Sequence, residues 1–322
     1  MHPFPADCLI LNFTVMPKQT TNTILMIEPV AFGFNDQTAV NNYFQHQLLS
    51  SEPEVQQQSL AEFKGMVKKL TACGLDVLVV KDTMVPHTPD SIFPNNWISF
   101  HEEGRAVLYP MFADNRRKER RSDIIRLVEN RKQVVLDVID YSAFEQQNVF
   151  LEGTGSLIPD RVHKIAYAAL SERTDKSLLL QFCADFGYKA VFFTANQSVE
   201  GKRLPVYHTN VMMCVADRYA VICTAAIDSE EERAEVIDSL QTTGKEIVAI
   251  SEDQMHHFAG NMLQVENREG KTFLVMSQAA YDSLNEEQIG RLRTYDEFIV
   301  VSIPTIERVG GGGARCMMAE VF

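Results

Sequence analysis

An α/β fold in one domain is what this sequence predicts, and three observations carry the prediction. Short apolar runs of strand length alternate from end to end with amphipathic stretches of helical period. The strand-like runs arrive in twos or threes between helices, which points to a repeated β–α unit of roughly 50 to 60 residues, although no sequence repeat is visible. Neither a low-complexity linker nor a shift of composition divides the chain. A doubly wound parallel sheet competes with this reading. It is weakened because runs 211–215 and 219–224 are joined by a turn too short for a crossover and therefore pair as an antiparallel hairpin.

Taken in order, strands are expected at 24–28, 75–80, 97–101, 106–109 and 134–138, each rich in β-branched or aromatic residues. Further strands are expected at 164–168, 190–194, 211–215, 219–224, 246–250, 262–266, 273–276 and 298–303. Helical spacing of apolar residues covers 55–70, 116–130, 176–186, 230–240 and 286–295. Gly74, Gly187 and Gly244 stand where C-terminal capping glycines belong. Residues 1–20 read as an appendage ahead of the patterned domain at 21–322. Their apolar patch at 8–15 has neither a basic leader nor a small-residue cleavage site, so no signal peptide is expected, and Met16 is a candidate start.

Composition removes several classes of function. A formal charge of −13 argues against nucleic-acid binding, which needs a clustered basic surface. The one basic run, Arg116 to Arg121, is interrupted by Glu119 and reads first as a solvated helix face. No stretch approaches the roughly 20 apolar residues of a membrane helix. The six cysteines (Cys8, Cys73, Cys183, Cys214, Cys223 and Cys316) form no C-x-x-C pair and no zinc-like spacing, so reduced thiols in a cytoplasmic protein are expected. Nothing in the sequence speaks to oligomeric state.

The chemistry begins in the segment 309–318, where Gly310 to Gly313 precede Ala314, Arg315 and Cys316. Four glycines let a backbone approach another group closely. A flexible turn and a phosphate-cradling loop are the alternatives, but no Lys-Ser/Thr follows to complete the latter. A cysteine delivered beside Arg315 is a nucleophile candidate, because neighbouring positive charge lowers a thiol pKa. Among eight histidines, His208 stands at the entry to the strand at 211–215, a rigid place for a base; His256 and His257 are weaker candidates. Glu152, between an apolar entry and Gly153, could hold an imidazole or a planar nitrogen group, and a plain turn glutamate is the alternative. Asn95 and Asn96 precede the single Trp97 and suit a pocket rim or an ordinary turn.

Together these segments resemble the guanidine-modifying superfamily of arginine deiminases, dimethylarginine dimethylaminohydrolases and amidinotransferases, from about residue 22 onward. Gly-Gly-Ala-Arg-Cys-Met resembles the nucleophile motif of the deiminases, which implies Cys316 as nucleophile. Leu151-Glu152-Gly153 is similar to the Glu-Gly element, implying that Glu152 contacts substrate nitrogens and His208, the family's general acid/base. Thr154 and Gly155 depart from the usual Gly-Asp, leaving the local loop shape open. Ser171-Glu172-Arg173-Thr174-Asp175 is similar to the Ser-x-Arg-Thr-Asn segment, so Arg173 inherits the α-carboxylate, and Arg116 is a second carboxylate candidate. The implied fold is a five-bladed, pseudo-symmetric α/β propeller. The implied chemistry is hydrolysis of a C–N bond in a small amino-acid substrate without metal or organic cofactor.

Two departures bear on substrate. The deiminases carry guanidinium-binding carboxylates at the positions of Asn96 and Asn210. Two neutral amides leave a buried cation under-paired, at a cost on the order of several kcal/mol. An amide offers donor and acceptor together, which suits a ureido group. Citrulline, cleaved to ornithine, carbon dioxide and ammonia, is therefore expected ahead of arginine or a methylated arginine. Glu152 alone as counter-charge is the counter-reading. Amidino transfer and a non-enzymatic propeller-type binding module are the remaining alternatives.

Overall fold

The computed structural model describes residues 17–322. Among the described residues the chain forms five three-stranded sheets and one two-stranded hairpin. All five sheets share one connectivity: two strands pair antiparallel, and a third lies parallel to the middle one. Sheet I joins Ala319–Val321, Thr23–Glu28 and Asp76–Lys81. Sheet II joins Ile98–His101, Arg105–Leu108 and Asp137–Asp140. Sheet III joins Ile158–Asp160, Ile165–Ala169 and Lys189–Phe193. Sheet IV joins Met213–Val215, Tyr219–Ile222 and Glu246–Ala249. Sheet V joins Leu263–Glu266, Thr272–Ser277 and Glu297–Val301. The expected hairpin between 211–215 and 219–224 is the antiparallel pair of sheet IV. With no sheet wider than three strands among the described residues, the doubly wound alternative falls away.

A parallel pair needs a crossover, and a helix supplies it in every sheet. These helices are Glu52–Ala72, Ser122–Lys132, Lys176–Phe186, Glu230–Thr242 and Glu286–Arg293. Local chemistry accounts for their ends. Ser51 and Glu54 close a capping box on the first, which buries Val55, Ser59, Phe63, Met66 and Leu70 on one face. The Asp175 side chain accepts from the backbone N–H groups of Ser177 and Leu178, and Gly187 ends that helix in the left-handed region at φ 68°. The single helix expected at 116–130 is a correction. Residues 114–117 make one short turn, and the longer helix starts only at Ser122, after Arg121 turns extended at φ −127°. The break turns Arg116 inward to 2% exposure, so the solvated-face reading fails for that residue.

Apolar side chains fill the seams between neighbouring sheets. Leu25, Ile98, Phe100 and Val321 pack sheet I on sheet II. Val107, Tyr109, Ala166 and Ala168 pack II on III. A larger cluster holding Tyr167, Val221 and Met276 joins III, IV and V. Ile24, Met26, Val265 and Val275 join V to I. Gln19 is also built in: its Nε2 donates to the carbonyls of Pro159 and Val215, each at 3.0 Å, and its Oε1 accepts from Arg161 N at 2.8 Å. The expected appendage at 1–20 thus has its last residues packed on sheets III and IV, while 1–16, with Cys8, the apolar patch and Met16, lie outside the described residues.

Leu25 is fully buried where sheet I receives its last strand. Leu25→Ala is expected to destabilise the protein by about 2–5 kcal/mol. Urea denaturation followed through the fluorescence of Trp97, which is 1% exposed, measures it.

Candidate active site

The site lies where the connections into the first strands of the sheets converge. Glu152 stands just ahead of the short helix Gly153–Ser156, and its side chain makes no capping bond to it. Gly153, at φ 49°, passes so close to the Asn95 and Asn96 carbonyls that any Cβ would collide with them. Glu152 is fully buried, with Oε1 accepting from Phe112 N at 2.9 Å and Oε2 bound to His208 Nε2 at 2.7 Å. Arg173 Nη1 stands 3.6 Å from the same Oε2. Burial works to raise the Glu152 pKa, but Arg173, the His208 bond and Arg116 outweigh it and hold it at about 2. An ionised carboxylate only accepts, so Nε2 of His208 carries the proton and Nδ1 presents its lone pair. Burial lowers the His208 pKa, against the pull of Glu152, to about 4, so the ring is neutral at rest.

Cys316 sits in the turn Ala314–Met317 behind the glycine run, and burial pushes its thiol up. Tyr207 Oη donates to Gly311 O at 2.6 Å, and Asn42 Nδ2 contacts the Gly310 and Gly311 carbonyls at 3.4 Å. Gly311 adopts φ 64°, and a Cβ there would strike Gln45 and Asn42. Cys316 and His208 line one narrow cavity, together with Asp90, Asn96, Arg116 and Arg173. Asn210 stands beside the sulfur, its Nδ2 at 3.5 Å from Sγ, away from the cavity wall. Glu152 likewise reaches the cavity only through the imidazole.

Asn96 has a fixed direction. Its Oδ1 accepts from Arg116 Nη1 at 2.7 Å, and guanidinium nitrogens only donate, so Nδ2 is the free end; it is buried without a partner. The Arg116 fork is itself held by Glu119, through Nε and Nη2 at 2.9 Å each, and by the Phe93 carbonyl at 3.1 Å. Arg173 donates from Nε to Asn41 Oδ1 at 2.9 Å and from Nη2 to Thr38 O at 2.8 Å, which ties it to the segment 38–42.

All seven residues expected from the sequence gather here, while His256 bonds Gln197 at 3.1 Å elsewhere. Sequence reasoning missed two more. Asp90 is 2% exposed; its Oδ2 accepts from Asn35 at 2.7 Å while Oδ1 has no partner, and burial raises its pKa. Asn261 is fully buried, and its Nδ2 lies 3.2 Å from Cys316 Sγ. A signal for Asn261 existed: Gly260-Asn261 enters a first strand just as Asn95-Asn96 and Thr209-Asn210 do.

His208 carries a linked stability prediction. A folded pKa of about 4, set against about 6.5 for an unperturbed imidazole, means that stability is fully present above about 6.5 and falls as pH drops toward 4. His101, also held low by burial, adds to the slope. His208→Gln is expected to flatten part of this decline, and denaturation midpoints between pH 7 and pH 4 test it.

The sequence profile of the family described as N,N dimethylarginine dimethylhydrolase, eukaryotic, matches residues 28–322. No match was found among curated protein sequences. Among solved structures, the N-terminal domain of ArgZ, an arginine dihydrolase from the ornithine-ammonia cycle in Cyanobacteria, solved with substrate bound, superposes with a TM-score of 0.70 at 17% identity, covering 93% of this chain and 97% of that one. AgrE, solved as a mutant with L-arginine, gives 0.69 at 16% identity over 93% of this chain and 40% of its own. A DDAH from Pseudomonas aeruginosa, complexed with citrulline, gives 0.62 at 15% over 94% and 99%. The profile match over most of the chain places this protein in the eukaryotic N,N-dimethylarginine dimethylhydrolase family, among the pentein-fold guanidino-modifying hydrolases that act on C–N bonds.

Proposed function

We propose that the enzyme hydrolyses citrulline to ornithine, carbon dioxide and ammonia. One observation carries the choice of substrate: the free end of Asn96 is an N–H donor, because Arg116 occupies its oxygen. A ureido carbonyl accepts from that donor, whereas a guanidinium meets it with donors of its own. The family match and the carboxylates of Glu152 and Asp90 favour a methylated arginine as the second reading. Repeated sheet connectivity, with seams running from I through V back to I, supports a five-bladed, pseudo-symmetric propeller as the frame.

In this reading Arg173 receives the α-carboxylate, Arg116 adds its charge to the same wall, and the unpartnered Oδ1 of Asp90 takes the α-ammonium. Asn96 grips the ureido oxygen, and Asn210 steadies the sulfur. As Sγ attacks the ureido carbon, the thiol proton moves to Nδ1 of His208 and on to the departing amine, which leaves as ammonia. Glu152 stabilises the transient imidazolium. His208 then takes a proton from water, whose oxygen attacks the S-linked carbamoyl group. The sulfur leaves, and the released carbamate loses carbon dioxide to give ornithine. No step draws on a metal or organic cofactor. Cytoplasmic thiol chemistry fits the five described cysteines, all free.

Incubation with citrulline, arginine and N,N-dimethylarginine, with ammonia and ornithine measured, tests the proposal. Ornithine from citrulline is expected, and turnover of either guanidine with citrulline untouched would overturn it. Cys316→Ser and His208→Ala are expected to abolish turnover. Asn96→Asp is expected to weaken citrulline turnover in favour of a guanidine. A Cβ on Gly155 would press on Asn96 Nδ2 and come within 2.8 Å of His208 Nδ1. Gly155→Ala is accordingly expected to cut kcat about 100-fold, since displacement of reacting groups by roughly an ångström has that scale.

A further inference from the structure

We propose that Asn261 is a further catalytic residue, the hydrogen-bond donor that stabilises the Cys316 thiolate from behind. The proposal deepens the reading of Cys316 as nucleophile and rests on it.

The direction of the Asn261 amide is set by its own surroundings. Oδ1 accepts from Arg315 N at 3.0 Å, and a backbone N–H can only donate. Nδ2 is therefore the end that faces Asn210 O at 2.8 Å and Cys316 Sγ at 3.2 Å. One carbonyl takes one amide hydrogen and the sulfur takes the other, so the donor capacity of the group is fully used. Asn210, by contrast, presents Nδ2 at 3.5 Å and Oδ1 at 3.7 Å to the sulfur, which leaves its direction undetermined. Asn261 supplies the shorter bond and the oriented one.

Its position decides which species it serves. Asn261 is fully buried and is not among the residues that line the cavity, whereas Cys316 is. It touches the reacting sulfur on the side away from substrate. A neutral donor there stabilises sulfur anion over thiol, since a thiol sulfur is a weak acceptor and a thiolate a strong one. The burial that raises the thiol pKa is thereby countered where no solvent reaches.

Two glycines make the arrangement feasible. A Cβ on Gly260 would lie 2.5 Å from the Val211 carbonyl oxygen, so only glycine lets this connection lie against the turn that carries His208 and Asn210. A Cβ on Gly313 would lie 2.7 Å from Asn261 Oδ1, so the glycine run has to be bare at that point for the amide to sit under Arg315. One side chain thus ties the nucleophile turn to the acid/base turn and aims a hydrogen at the sulfur.

The test needs no substrate. The ionisation of Cys316 is read as the ultraviolet thiolate absorbance of each protein minus that of its Cys316→Ser counterpart, and as the pH dependence of iodoacetamide labelling mapped to the Cys316 peptide. Asn261→Ala and Asn261→Asp are expected to move both midpoints upward by about one pH unit, with about tenfold slower labelling at neutral pH. The aspartate keeps an acceptor for Arg315 N while removing the donor, so it preserves the local shape should the alanine variant unfold. Folded variants with an unchanged midpoint overturn the proposal even if turnover falls, because a merely structural role predicts that result. If Cys316→Ser retains turnover, the nucleophile assignment has failed instead.

Discussion

The centre of this molecule is organised around a carboxylate that no water reaches. A buried anion is tolerated only when donors surround it, and Glu152 collects the Phe112 amide, the His208 ring and the Arg173 guanidinium. Each partner arrives from a different part of the chain, so the electrostatic demand of one side chain fixes the relative positions of sheets II, III and IV around the cavity. The same demand selects the tautomer of His208, which decides where a proton can go. Gly153 and Gly155 are the backbone side of this constraint, since a side chain at either would hold apart groups that the charge draws together.

A repeated connectivity explains why polar residues from remote segments meet. Asn96, Glu152, Asn210, Asn261 and Cys316 all occupy the connection that leads into the antiparallel edge strand of a sheet. Strands fix the direction of that connection and seams of Leu, Ile, Val and Phe fix its depth, so three asparagines, a glutamate and a cysteine come to a common place. Fold and chemistry are thereby separated. The seams carry stability, and the tips of the connections carry polarity that can change without disturbing the strands.

Much of this was legible in the sequence because it is local. Helix 176–186 was marked by apolar spacing and Gly187, and the structure keeps those bounds. The antiparallel pair in sheet IV followed from a short turn. The helix expected at 116–130 failed because periodicity cannot sense the pull of Asn96 and Glu119, which draw Arg116 inward and break the helix behind it. Strands Ile158–Asp160 and Ala319–Val321 are too short for a period, and distant pairing alone defines them. Asp90 and Asn261 went unseen for a related reason: their meaning lies in partners far along the chain. The motif resemblance picked out seven residues that the fold brings together, five of them lining the cavity, yet it gave no sense of which end of an amide would be free.

The pairing of Ala319–Val321 with Thr23–Leu25 has a consequence for biosynthesis. Thr21 Oγ1 donates to Val321 O across 300 residues, a length that a ribosome makes in about 15 to 60 s at roughly 5–20 residues per second. Throughout that interval the nascent strand Thr23–Glu28 presents an unsatisfied, strongly apolar edge, the kind of surface that chaperones cover and aggregates recruit. Cys316 emerges only just ahead of the segment that seals this edge. A growing chain therefore completes its cavity only at the moment it can close.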